Sequence, residues 1–164
     1  MTPLRVASVH YLNADPLTWG FEHGAARRFV RLSKHAPSRI PDLLRSGEVD
    51  VGLIPSIEYQ RIDGLEILPG MGVGSSGKAR SVLLVSTRPM ESIRSIALDG
   101  SSRTSAALLR IVLSHRGISG VDFSEHPPVL RAMLAAHDAA LIIGDPALTC
   151  DTSGLRVWDL GEQW

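Results

Sequence analysis

Hydroxyl and amide side chains, with one arginine among them, collect where apolar strand-like runs end. Asn13 follows the run 4–9, and Ser56 follows the run 49–54. Ser101, Ser102, Arg103, Thr104 and Ser105 follow the run 95–98, and Asp145 follows the run 139–143. Ser81 opens a further run, 81–86. In open α/β sheets, ligands bind outside the carboxyl ends of the strands, so these are the turns where chemistry belongs. The stretch 101–105 is the sharpest. It stands between a strand and a helix, where the first helical turn leaves backbone N–H groups without intrahelical partners and the helix dipole favours an anion. Serine and threonine hydroxyls add donors, and Arg103 can close on a carboxylate with two parallel hydrogen bonds.

Each of these residues also has a purely local reading. Ser101 or Ser102 caps the following helix, and Arg103 is then a solvated side chain. Asn13 shapes an Asx turn before Pro16. Asp145, in Gly-Asp-Pro, caps a helix with Pro146 at its first position, and spacing alone favours that cap. Ser81 is an ordinary strand edge. Five consecutive polar or basic groups at 101–105 go beyond what one cap requires. They point to a small-anion site, with both enzyme and binding module left open.

The elements that position these turns alternate between strand and helix. Strands are expected at 4–9, 29–33, 49–54, 81–86, 95–98, 121–123 and 139–143, with a last one at 157–158. Residues 10–17 read as a turn on the strength of Asn13, Asp15 and Pro16. Ser38 is placed to cap a short helix with Pro41 in its first turn and Gly47 at its end. Pro55 and Ser56 begin another helical turn. The segment 106–115 carries Leu108, Leu109, Val112 and Leu113 on one helical face, and 129–136 is a second helix. Gly70, Gly72, Gly74 and Gly77 match neither the dinucleotide nor the nucleotide-loop spacing and read as a connection. The repeated strand, turn and helix specify an α/β fold with mostly parallel sheets.

Composition narrows the function classes. The 164 residues include 44% hydrophobic and 21% charged side chains, enough for a genuine core. Seventeen basic and seventeen acidic residues cancel, so no net field draws the chain to nucleic acid or an anionic membrane. Fifteen of the basic residues are arginine, a bias we assign mainly to genomic composition. Cys150 stands alone, which excludes an internal disulfide and a cysteine-rich metal site. The six histidines show no ligand spacing, so no metal is expected. No apolar run is long enough to span a bilayer, and no signal core precedes the first strand; a cytoplasmic location is expected.

Four strings, taken in order, resemble one family: Tyr11-Leu12-Asn13-Ala14-Asp15-Pro16-Leu17, the run 50–59 (DVGLIPSIEY), Ser101-Ser102-Arg103-Thr104-Ser105, and Ile143-Gly144-Asp145-Pro146-Ala147-Leu148. Together they are similar to the periplasmic-binding-protein-like enzymes of menaquinone biosynthesis by the futalosine route. The resemblance implies two lobes, assigned here to 1–88 and 89–164. It implies a cofactor-free hydro-lyase that removes water from chorismate, a dicarboxylate, to give 3-[(1-carboxyvinyl)oxy]benzoate. It further implies that Asn13 and Asp145 are catalytic, and that Ser56, Ser81, Ser101, Ser102, Arg103 and Thr104 bind substrate. The family continues beyond the string that ends at Trp164 to complete the first lobe, which leads to an expectation of self-association through that lobe. The runner-up reading is a small-carboxylate binding module of solute-receptor type, or an inactive fragment.

Overall fold

β-Branched and leucine-rich runs build two separate sheets in the computed structural model, which describes residues 2–164. In the first unit, which ends at Gly74, three parallel strands lie in the order β2-β1-β3. They are β1 (Leu4–Val9), β2 (Val30–His35) and β3 (Val51–Gly52). Alternation along β1 turns Ala7 and Val9 toward a core with Ile40 and Leu43. Those two residues come from helix α2 (Ile40–Arg45). Gly52 is required at its place. A Cβ there would sit 2.7 Å from the Ile40 side chain, so glycine lets α2 lie close on the sheet.

Three local expectations change in this unit. The stretch 10–17 is not a single turn. A 3-10 turn (Leu12–Ala14) leads directly into helix α1 (Asp15–His23), with Pro16 in its first turn. Proline marks a helix start as readily as a turn, because its missing N–H is one the first turn leaves unpaired anyway. The strand expected over 49–54 shrinks to two residues, although the flanking N–H groups of Asp50 and Leu53 still donate to Arg5 and Ala7 carbonyls, at 2.9 and 3.0 Å. Ser38 does not cap α2; Arg39 occupies the cap position without a side-chain hydrogen bond.

The second unit runs from Ser75 to Trp164. Its sheet has five strands in the order β6-β5-β7-β4-β8. These are β4 (Val82–Ser86), β5 (Ser95–Asp99), β6 (Asp122–His126), β7 (Ala139–Ile143) and β8 (Arg156–Asp159). β5 runs parallel to β6 and β7, while β4 runs antiparallel to β7 and β8. The chain divides into its two compact units at the Gly74–Ser75 step, whereas the lobes expected from sequence meet at residue 88; β4 belongs to the second unit because its partners are β7 and β8. Helices α3 (Arg103–His115), α4 (Leu130–Ala136), α5 (Gly144–Thr149) and α6 (Leu160–Gln163) complete this unit. Leu109 and Leu113 of α3 pack on one face with Leu98 and Leu141. Leu130 and Met133 of α4 pack on the other with Ala97 and Ile142. The fold is thus α/β, with a parallel first sheet and a mixed second one.

Candidate active site

Strand direction decides which candidates share an edge. In the first unit, β1 and β3 are parallel, so the turns after both leave from the same carboxyl edge. That edge carries Asn13 and Ser56. Asn13 is exposed in its 3-10 turn. The turn is closed by the backbone, with the Ala14 N–H donating to the Tyr11 carbonyl at 2.9 Å, so its amide is not needed as an Asx closure. Ser56 is exposed at the start of a 3-10 turn (Ser56–Gln60). Two residues on, the Glu58 carboxylate is 1% exposed and lies between the Arg45 and Arg61 guanidinium groups at 2.8 and 3.0 Å. Neighbouring Asp15 does not present a bare charge. Lys34 reaches Asp15 at 2.9 Å and Glu22 at 3.3 Å, and the hydrogen bonds that its ammonium donates to these two carboxylates raise its pKa.

In the second unit, β5 and β7 end at one edge, and antiparallel β4 begins there. Three groups of candidates therefore line that edge: residues 101–104 after β5, Asp145 after β7, and Ser81 before β4. Ser81 and Asp145 are brought close by the backbone. The Gly144 N–H donates to the Ser81 carbonyl at 2.9 Å, and Val82 pairs with Ile143. The Ser81 hydroxyl donates to the Ala79 carbonyl at 3.3 Å.

The stretch 101–105 builds itself through its own hydroxyls. Ser101 donates its N–H and its hydroxyl to Asp99 Oδ1, at 3.0 and 2.6 Å. Ser102 caps α3: its Oγ accepts from the Ser105 N–H at 3.2 Å and donates to the Ser105 hydroxyl at 2.7 Å. The local reading of Ser102 as a cap is thus correct, and a ligand there would meet a preorganised helix start rather than loose serines. Arg103 and Thr104 form the first residues of α3 and are half-buried. The cap expected at Asp145 is corrected. Ile143 holds the cap position, and Asp145 sits one step inside α5 with its side chain exposed. Gly144, at φ +63°, takes the left-handed turn that shifts the helix start by one residue.

Sequence reasoning passed over Asp99, Glu58 and Asp159. Asp99 was visible as the first residue of an Asp-Gly-Ser turn, the pattern in which an aspartate accepts from the N–H two residues on. Asp159 was visible as the Asp of Asp-Leu-Gly, a helix-cap spacing. Glu58 had only the weak local signal of Arg61 three residues on, and its other partner, Arg45, comes from another element.

Among the described residues, no group of three or more His, Cys, Asp and Glu side chains is placed to hold a metal ion. Among those residues, no helix is long and apolar enough to cross a membrane. A hollow of about 700 Å³ in the first unit is lined by Leu4, Phe29 and Val30 with Arg5 and Asp50. It lies at the amino end of β1, away from Asn13 and Ser56.

Two α/β units, each with polar turns on one sheet edge, place the chain in the periplasmic-binding-protein-like class. Solved structures share this fold. One is an ABC transporter structure from Parabacteroides distasonis (19% identity, TM-score 0.51, 98% of this chain and 60% of that one). Another is the HisG:HisZ ATP phosphoribosyl transferase complex from Thermotoga maritima (13% identity, TM-score 0.56, 95% and 81%). A third concerns glutathione import by GshT and the cystine importer of Streptococcus mutans (15% identity, TM-score 0.52, 97% and 77%). Within that class the chain belongs to the menaquinone biosynthesis family, whose model matches residues 4–164. It is 32% identical over 149 residues to a chorismate dehydratase from Thermus thermophilus, a match that covers 90% of this chain and 53% of that protein. The chain thus spans about half the length of the curated relative it matches.

Proposed function

We propose that the chain carries the chorismate-binding and dehydrating machinery of its family. The observation that carries this reading is the 32% identity to a chorismate dehydratase over 90% of the chain. The geometry supports it. Chorismate bears two carboxylates and a hydroxyl, and the second unit lines one edge with the α3 start, Ser81 and Asp145. Ser56, Ser81, Ser101, Ser102, Arg103 and Thr104 bind the substrate in this reading, with Arg103 as the carboxylate fork.

The reaction is an elimination. A proton leaves the ring carbon that bears the ether, the hydroxyl leaves the neighbouring carbon, and the ring becomes aromatic. The proton and the hydroxide depart as water. Positioning and fixed dipoles supply the catalysis: donors that hold the ring carboxylate stabilise the negative charge that develops through it. Asn13 acts on the reacting part of the substrate. Asp145, exposed and released from capping, is the protein's own carboxylate base, the substrate carboxylate being the alternative. The reaction takes place in the cytoplasm and needs no cofactor.

Incubation with chorismate, followed by the absorbance of the aromatic product, tests this reading. Asn13→Ala is expected to lower turnover by about 100-fold, the scale of one lost transition-state donor. Unchanged turnover would remove Asn13 from the mechanism. Binding of chorismate without turnover by the unsubstituted chain would favour the solute-receptor type of module instead.

A further inference from the structure

Asp159, the last residue of β8, is 8% exposed and reaches backbone in two directions. Its Oδ1 accepts from the Gly161 and Glu162 N–H groups at 2.9 and 3.3 Å, which caps α6. The same oxygen accepts from the Ala79 N–H at 3.0 Å, and Oδ2 accepts from the Arg80 N–H at 2.6 Å. One carboxylate thus ties a helix start to a segment 80 residues earlier in the chain. Burial alone would push its pKa up, but these N–H groups outweigh that and hold it below the ordinary carboxylate range.

Capping alone does not explain the second pair of bonds. Two further features mark the segment before β4 as closely held. Arg80 has φ +60°, a left-handed conformation that non-glycine residues rarely adopt. The backbone of Gly161 approaches so closely that a Cβ there would lie 2.5 Å from the Gly77 carbonyl oxygen. The next residue is Ser81, whose hydroxyl leans on the Ala79 carbonyl and whose own carbonyl receives the Gly144 N–H beside Asp145.

We infer that Asp159 is a positioning residue for the site: by gripping the Ala79 and Arg80 N–H groups it sets the path of the chain into β4, and so the place of Ser81 at the sheet edge that Asp145 also lines. This inference rests on the proposed role of Ser81 in binding substrate.

The deciding variant is Asp159→Ser. A serine can still cap α6 through Gly161 and Glu162, but its single oxygen, on a shorter arm, cannot hold the cap and also both the Ala79 and Arg80 N–H groups. Amide exchange at Ala79 and Arg80 is expected to accelerate, while Glu162 keeps its protection. Turnover of chorismate is expected to fall by about 100-fold, as a misplacement of about 1 Å at a binding group does. A folded Asp159→Ser protein with unchanged amide exchange at Ala79 and Arg80, or with unchanged turnover, overturns the inference. Asp159→Asn keeps one acceptor oxygen and loses the Arg80 bond. It is the variant to read if Asp159→Ser does not fold, with faster exchange confined to Arg80 and an intermediate loss of turnover expected. Equal exchange in Asp159→Asn and the unsubstituted chain also overturns it. If the unsubstituted chain does not turn over chorismate, the functional reading fails, and amide exchange still decides whether Asp159 holds the segment.

Discussion

The two units solve the same problem with different resources. The second has five strands, with α3 and α6 contributing to a core on one face and α4 and α5 to a core on the other. The first has three strands and one apolar cluster, on the face that receives α2, while Val6 and Ser8 are buried on the opposite face of β1. A central strand such as β7 is buried along nearly its whole length, from Ala139 to Ile142. In the first unit, β1 is the inner strand, yet Leu4 at its start is exposed. The first unit also contains a buried polar atom with no hydrogen-bond partner among the described residues, Ser8 Oγ. The first unit also holds Glu58 between Arg45 and Arg61, and Lys34 against Asp15 and Glu22.

This contrast can be broken by experiment. Leu141, fully buried in β7, should cost about 4 kcal/mol when replaced by alanine, through lost transfer energy and the cavity left in a core that cannot collapse around it. Ile40→Ala in the first unit should cost less, about 3 kcal/mol, because a core built on three strands rather than five relaxes more easily. Chemical denaturation of both variants checks this, and a larger loss at Ile40 would invert the comparison. A smaller effect of opposite sign is expected at Ser8. Ser8→Ala removes a desolvated hydroxyl that has no partner, so the midpoint of unfolding should rise, by about 1 kcal/mol of stability. A loss of stability on that change would show that the hydroxyl has a partner in solution.

The smallest effect is at the amino end of β1. There the Arg5 side chain and N–H hold the Asp50 carboxyl down to about 2. A depressed carboxyl stabilises the fold above its unfolded pKa near 3.8 and loses that contribution as the pH falls toward 2. Both side chains are well exposed, so solvent screens the pair. Asp50→Asn should therefore lower the thermal midpoint slightly at pH 6, and the gap to the unsubstituted chain should close by about pH 2. A gap that widens on acidification would exclude this pair as its source.

Much of the local structure could be read from residue order. The runs at 4–9, 82–86, 95–99 and 139–143 are strands because apolar and β-branched residues crowd there between turn formers. Helix α3 shows its buried stripe at Leu109, Val112 and Leu113, and its cap at Ser102. Helix α1 was missed because Asp15-Pro16 signals a turn and a helix start equally well. The four family strings were legible as well, and with them the positions of Asn13, Ser56, Ser101, Ser102, Arg103, Thr104 and Asp145; Ser81 lies outside those strings, at the start of a strand-like run.

What the amino-acid order determined by itself, then, is the set of elements, the polar turns that follow them and the family those turns mark. Only the tertiary structure decided that β4 runs antiparallel within the second sheet and so brings Ser81 to the same edge as Asp145 and the α3 start. It alone freed Asp145 from capping, enclosed Glu58 between two arginines and carried Asp159 to Ala79 and Arg80. The physical reason is range. Periodicity and capping act over three or four residues, whereas strand pairing and buried carboxylates depend on groups tens of residues apart, which the chain brings together only by closing its cores.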